Sequence, residues 1–249
     1  FKLDLYITGA GVSADSGIPT FRGEDGFWTI GSKNYTPQEM ATRKMYLENP
    51  TEFLSWYYLR FAKYRNAKPN SVHFFLSDKK LITQNIDGLD EKAGNKDYIS
   101  IHGNLNKVTF YYEEDKKSDI FPAPWDIVEK ECLDISDKIK LKNILLNCFK
   151  ISNKTLKPSK MVSLKPFVLL FDELYSNMYK MNYAEVLMKK AKKFIFMGTS
   201  FSVNITLIAL KYALSNSAKI EIIDPYPLDL GLKNIKYYKM LASEYIQLN

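Results

Sequence analysis

Apolar residues fall along this chain in short continuous runs separated by glycine-bearing polar turns, and between the runs lie segments with helical spacing. Leu3-Asp4-Leu5-Tyr6-Ile7-Thr8, rich in β-branched and aromatic residues, predicts a strand that enters a glycine turn. Leu81-Ile82-Thr83, Phe194-Ile195-Phe196-Met197 and Ile220-Glu221-Ile222-Ile223 predict further buried strands, the last of them the final clear one, and Tyr98-Ile99-Ser100-Ile101 a short one. Helix starts are marked at Thr36-Pro37-Gln38-Glu39 and Asn49-Pro50-Thr51-Glu52, the second running through Phe53, Trp56, Tyr57, Arg60, Phe61 and Tyr64. Helices are also predicted over Gly88 to Ala93, Trp125 to Phe149 and Tyr183 to Lys193, and over a segment carrying Ile205, Ile208, Ala209 and Tyr212 on one face. Alternating strands and helices predict an α/β fold, a Rossmann-like parallel sheet with a smaller, mainly helical second lobe. The sheet lobe is expected from residues 1–23, 68–103 and 166–249, and the small lobe from the insertions 24–67 and 104–165.

Composition narrows the class. A chain of 249 residues with 46% hydrophobic and 25% charged content can bury a substantial core. No stretch is long and apolar enough to span a bilayer and no signal peptide precedes the first strand, so the expectation is a cytoplasmic protein with no membrane partner. The formal charge of +7 comes from lysines spread among asparagines, which reads as a solvated surface rather than a nucleic-acid site. Cys132 and Cys148 are too few for a disulfide framework and have no partners at zinc-ligand spacing.

The stretch Gly9 to Gly23, GAGVSADSGIPTFRG, carries the first candidate chemistry. Gly9 and Gly11 are expected to leave backbone amides uncovered for a phosphate, with a helix from near Val12 aiming its positive end there. Spacing alone is weak support for a pyrophosphate site, because Ala14 stands at the third glycine position. Gln84-Asn85-Ile86-Asp87 follows the strand Leu81–Thr83 at its carboxyl end, where amides and an acid suit a carboxamide and ribose hydroxyls. His102 ends another strand, where an imidazole of near-neutral pKa can act as a general base. Gly198-Thr199-Ser200 forms a second small-residue turn at a helix amino end.

Continuing through Ser16-Gly17-Ile18-Pro19-Thr20-Phe21-Arg22-Gly23, the chain resembles the sirtuins, the NAD-dependent protein deacylases. The resemblance recurs in order at Thr83-Gln84-Asn85-Ile86-Asp87-Gly88-Leu89, His102-Gly103-Asn104, Pro166 to Glu173 and Gly198 to Val203. It implies that NAD is a consumed cosubstrate, contacted by Gly9, Ala10, Gly11, Ala14 and Asp15, by Ile18, Pro19, Phe21 and Arg22, and by Gln84, Ile86 and Asp87. Gly198, Thr199, Ser200 and Asp224 complete that set. Asn85 would orient the ribose, Asp87 and the Ile86 backbone would grip the nicotinamide amide, and His102 would be the base.

The partner implied is an acyl-lysine protein or peptide, held along the strand-like run Pro166 to Phe171, with Val168, Phe171, Glu173 and Val203 as contacts. In some sirtuins a Tyr-x-x-Arg pair binds the carboxylate of succinyl- or malonyl-lysine, and Tyr57 and Arg60 have that spacing; an aromatic packing stripe with a surface arginine is the other reading. His73 reads as structural. The family's two Cys-x-x-Cys pairs are absent, Val108 to Tyr112 standing where the first would fall, so no zinc is expected. Asp90, Asp172 and Asp224 stand where the family usually has histidine, glycine and asparagine. The expected activity is a protein-lysine deacylase, deacetylase and possibly desuccinylase or demalonylase, releasing nicotinamide and O-acyl-ADP-ribose. An NAD glycohydrolase or ADP-ribosyltransferase of the same fold, supported by those three aspartates and the missing cysteines, is the second reading, and a non-catalytic NAD sensor the third.

Overall fold

The computed structural model describes residues 3–20, 35–112 and 119–248. Among the described residues nine strands run β1 Leu3–Thr8, β2 Lys80–Thr83, β3 Ile99–Ser100, β4 Gly103–Phe110, β5 Ile120–Pro122, β6 Leu164–Val168, β7 Ala191–Met197, β8 Lys219–Ile223 and β9 Ile235–Tyr238. The chain divides into two compact units, Phe1–Thr20 with Ala67–His102 and Tyr179–Asn249, and Phe21–Asn66 with Gly103–Met178.

In the first unit six strands form one sheet in the order β3-β2-β1-β7-β8-β9, every pairing parallel. Counted within this unit alone, the order across the sheet is third, second, first, fourth, fifth, sixth, the doubly wound arrangement in which the chain reverses direction between β1 and its neighbour β7. The central strands are buried on both faces, which is why they read as unbroken apolar runs: Phe194, Ile195, Phe196 and Met197 are all fully buried, as are Leu5 and Ile7. One face packs Tyr6, Val12, Leu81, Ile195, Met197 and Ile223 against Val72 and Leu76 of the helix Ser71–Leu76 and against Ala242 and Tyr245. β9 is a further strand at the sheet edge that the apolar pattern does not announce, since its residues Ile-Lys-Tyr-Tyr are only partly buried. The helix expected to reach Lys193 spans Met181–Lys190, and Ala191 instead opens β7 against Leu3.

The second unit combines helices with a three-stranded antiparallel sheet, β5-β4-β6, a component that a mainly helical lobe did not include. Residues 166–178, expected with the parallel sheet, lie in this unit because β6 pairs with β4. Thr36 opens a short helix, Pro37–Met40, through a reciprocal capping box with Glu39. The helix Pro50–Arg60, capped by Asn49, buries Phe53, Leu54, Trp56 and Tyr57, and packs on the helix Lys138–Cys148. The single helix expected over Trp125 to Phe149 is two, Trp125–Glu131 and Lys138–Cys148, because Asp134 bonds Ser136 locally and Asp137 caps the second by accepting the Lys140 N–H at 2.9 Å. Trp125, almost fully buried, donates its indole N–H to Leu105 O at 2.8 Å and so ties these helices to β4. Val108–Phe110 belongs to β4, and the buried Tyr111 after it packs on Tyr46. Cys132 and Cys148 are free thiols, and no group of three or more His, Cys, Asp or Glu among the described residues can hold a metal ion. No helix among the described residues is long and apolar enough to cross a membrane.

Candidate functional site

In an open α/β sheet a ligand crevice forms outside the carboxyl ends of the strands, where the winding reverses. The strand ends of the first unit carry Gly9 after β1, Gln84 and Asn85 after β2, His102 after β3, Gly198 to Ser200 after β7 and Asp224 after β8. The turns after β1 and β7 are pressed together: a Cβ on Gly9 would lie 2.7 Å from Gly198 O, one on Gly11 2.7 Å from Gly198 Cα. Gly198 itself has φ +59, a backbone that favours glycine.

This contact corrects one expectation. The Gly9 N–H donates to Met197 O at 3.1 Å and the Gly11 N–H to Gly198 O at 2.9 Å, so these amides join the two turns and are not bared to a phosphate. The segment after Gly9 is a tight 3-10 helix, Ala10–Ser16, rather than an α-helix from Val12, and it ends at Gly17 with φ +79. Ala14 and Asp15 are exposed on it, Ile18 is buried and Pro19 half-buried. Phe21 and Arg22 lie outside the described residues.

Gln84 binds the strand ends to one another, its Nε2 donating to Thr8 O and to Thr199 Oγ1, both at 3.0 Å. Thr199 is accordingly buried, whereas the Ser200 hydroxyl is at the surface, 2.8 Å from that of Ser202. Asp224 shapes its own turn by accepting the Tyr226 N–H at 2.8 Å.

Ser13, which the sequence reading passed over, is the centre of the polar cluster. Its hydroxyl donates to Asp87 Oδ2 at 2.7 Å and accepts from Asn85 Nδ2 at 3.1 Å, and His73 Nε2 lies 3.3 Å away. On its other side the His73 ring sits in the capping box of its helix, Nδ1 lying 3.0 Å from Asn70 Oδ1 and 3.3 Å from the Asn70 N–H. His73 is buried, and desolvation holds its pKa below the ordinary value. Asn85 Nδ2 also donates to Gly9 O at 3.1 Å, and Asp87 Oδ1 accepts the Leu89 N–H at 2.9 Å. Asn85, Asp87 and the first loop are thus one bonded assembly. Asp90, on the helix Leu89–Lys92, is 2% exposed with Oδ1 lacking a hydrogen-bond partner. Burial, and after it the charge of Asp87, pushes its carboxyl up to about 7.

His102 sits half-buried after β3, its Nδ1 3.0 Å from Gln84 O. A carbonyl only accepts, so Nδ1 carries the proton and the lone pair is on Nε2. Desolvation pulls the pKa down to about 4, against the Gln84 carbonyl, which favours the charged ring. A neutral imidazole with a fixed tautomer is a proton acceptor at neutral pH.

The remaining expected residues divide between the units. Val203 precedes the helix Asn204–Ser215 in the first and takes the Thr206 hydroxyl on its carbonyl. In the second unit Tyr57 is buried among Phe53, Trp56 and Phe61, with ring centroids 4.8 to 5.5 Å apart, and burial, then the Glu173 charge, pushes its hydroxyl far above the usual range. Arg60 lies over the Trp56 ring at 5.9 Å. Val168 closes β6 opposite Gly103, Phe171 is exposed, and Glu173 is bonded to Lys165 Nζ at 2.8 and 2.9 Å and to the Leu170 N–H at 3.1 Å. Lys165, a buried lysine inside a strand, gave no functional signal in the sequence.

Residues 9–205 match the sequence model of the Sir2 family. The NAD-dependent protein deacylase 1 of Caldanaerobacter subterraneus is 32% identical over 254 residues, covering 98% of this chain and 91% of its own length. The NAD-dependent protein deacylase of Leptospira interrogans serovar copenhageni is 30% identical, over 90% of this chain and 82% of its own. A solved Sir2 homologue–NAD complex superposes with a TM-score of 0.73 at 27% identity, covering 99% of this chain and 87% of that one. The sirtuin motifs of the sequence, the doubly wound sheet and these matches agree, and the protein belongs to the Sir2 family.

Proposed function

We propose that the protein is an NAD-dependent protein-lysine deacylase, releasing nicotinamide, O-acyl-ADP-ribose and the free lysine. The observation that carries the reading is His102, a neutral ring whose Nδ1 proton is held by Gln84 O and whose basic nitrogen is therefore Nε2. The donor set of the first unit fits NAD: amide and hydroxyl groups and a carboxylate at adjacent strand ends. The turns Gly9 to Gly11 and Gly198 to Ser200 would flank the pyrophosphate and a ribose, though not through the Gly9, Gly11 and Gly198 amides, which are bonded within the protein. Asn85 would take the other ribose, and Asp87 with Ile18, Pro19 and Ile86 the nicotinamide. When bound, NAD supplies a ribose carbon made electrophilic as nicotinamide leaves.

The chain's own part is then positional and protolytic. Ser13 and the Leu89 N–H fix Asp87, with Asn85 bracing the Ser13 hydroxyl, and its carboxylate would accept the carboxamide N–H. His102 accepts a ribose hydroxyl proton at Nε2, while Gln84 O keeps Nδ1 protonated. In the second unit β6 is paired on one side only among the described strands, which suits strand addition by an acyl-lysine peptide. Cys132 and Cys148 do not supply the two Cys-x-x-Cys pairs of the family's zinc module. The two free cysteines are compatible with work in the reducing cytoplasm. The burial of Tyr57 among Phe53, Trp56 and Phe61 favours the packing-stripe reading of Tyr57 and Arg60, and with it an uncharged acyl group.

The test is to incubate the protein with NAD and, in parallel, acetyl- and succinyl-lysine peptides, following nicotinamide and peptide mass together. Stoichiometric, peptide-dependent loss of the acetyl group supports the reading. Nicotinamide release without a change in peptide mass favours the glycohydrolase.

A further inference from the structure

The turn after β6 is fastened to one short stretch of the same unit by consecutive residues. The Phe171 N–H donates to Ala41 O at 3.0 Å, and Asp172 accepts the Arg43 N–H at 2.6 Å on one oxygen and the Lys44 N–H at 3.0 Å on the other. Glu173 lies 3.7 Å from the Arg43 guanidinium. Arg43 and Lys44 open the helix Arg43–Glu48, whose local cap, Thr42, accepts from Met45 and leaves the first two N–H groups without an intrahelical partner. Asp172 takes up those two donors from 129 residues away, a charge-assisted pair of bonds at a helix amino end. On its other side the turn is tied back into β6, because Lys165 Nζ holds Glu173 and donates to Val168 O at 3.2 Å. The path of the backbone from Val168 to Glu173 is thereby fixed at both ends. Glycine, which the resembled family has at this position, would make neither of the Asp172 bonds.

We infer that Asp172 is a positioning residue for the acyl-lysine peptide: it anchors the turn after β6 to the residues Arg43 and Lys44 and so sets how that strand is presented to substrate. This rests on the deacylase reading of β6. It predicts that Asp172 acts on peptide affinity and not on NAD. The chemistry at His102 belongs to the other compact unit and is left unchanged.

The experiment compares Asp172→Gly and Asp172→Asn with the wild type in the full chain. It measures kcat and KM for an acetyl-lysine peptide at saturating NAD, KM for NAD at saturating peptide, and amide exchange at Arg43 and Lys44. Asp172→Gly is expected to raise the peptide KM about tenfold, the loss of a charge-assisted hydrogen-bond pair, with the NAD KM and kcat within about twofold. The two amides exchange faster in step. Asp172→Asn, with one acceptor oxygen in place of two, falls between, and carries the test if the glycine variant does not fold. A peptide KM that stays at the wild-type value in both variants overturns the inference while leaving the deacylase reading intact, as does an NAD KM rising in parallel. Absence of peptide turnover in the wild type overturns the deacylase reading and this inference with it.

Discussion

The parallel sheet of the first unit and the antiparallel sheet of the second are held by different means. In the first, the central strands are covered on both faces, so apolar burial specifies them, and polar groups gather at the strand ends where the chain turns. In the second, β4 and β6 carry polar residues into the interior: Asn104 and Thr109 are buried, and Lys165 is buried against Glu173 inside a strand that also contains Pro166. A sheet that depends on tertiary partners for buried polar side chains cannot be read from local pattern.

The largest expected effect tests that dependence at the join of β4 and β6. Gly103 has φ +88, and a Cβ there would lie 2.0 Å from Phe167 O and 3.0 Å from Val168 Cα. Gly103→Ala should therefore destabilise by more than about 3 kcal/mol by denaturant unfolding, through combined strain and overpacking. Gly17, in the first unit, has φ +79 but open space around it, so Gly17→Ala should show strain alone, about 1–2 kcal/mol. Equal losses at the two glycines would remove the distinction.

Next comes the ion pair. Lys165→Met leaves a desolvated Glu173 carboxylate and should cost about 3 kcal/mol, and Glu173→Gln a similar amount by stranding the ammonium. The double variant Lys165→Met with Glu173→Gln should be markedly less destabilised than the sum of the two, which a double-mutant cycle reads directly. Ser13→Ala, at the polar centre of the first unit, should lose about 1–2 kcal/mol, since Asn85 and Asp87 keep other partners.

How far the sequence foretold the molecule follows the same division. Continuous runs such as Phe194 to Met197 located the parallel strands, and Gln84 to Asp87, His102 and Gly198 to Ser200 were placed at strand ends because topology puts ligand residues there. The use of Gly9 and Gly11 was misread, since glycine spacing cannot distinguish an amide offered to a ligand from one bonded to a neighbouring turn. Ser13 and Arg43 were missed because their partners lie 60 or more residues away, and Lys165 because its partner Glu173, eight residues on, is brought to it only by the turn after β6. Asp172 was legible only as an oddity at a glycine position, and its partners became visible with the helix Arg43–Glu48 in place.

The smallest expected effect is in pH dependence, and it belongs to the first unit. Asp90 is raised from 3.8 to about 7, so it stabilises the fold fully below pH 3.8, and that contribution is lost as pH rises through 7. His102 is lowered from 6.5 to about 4, so the unfolded chain takes up its proton first, and stability falls as pH drops below 6.5 toward 4. The two slopes oppose one another in the wild type. Asp90→Asn should unmask the His102 slope, giving a larger gain in Tm over the wild type at pH 8 than at pH 5, measured by thermal unfolding across that range.

The central claim is that His102 is the base of an NAD-dependent deacylation. Its most direct test is single-turnover removal of an acetyl group from a lysine peptide by the wild type and by His102→Ala, with NAD binding measured alongside. The account predicts loss of acetyl transfer by about 10²–10⁴-fold in the variant with NAD affinity within a few-fold of the wild type. Undiminished deacetylation by His102→Ala would contradict it.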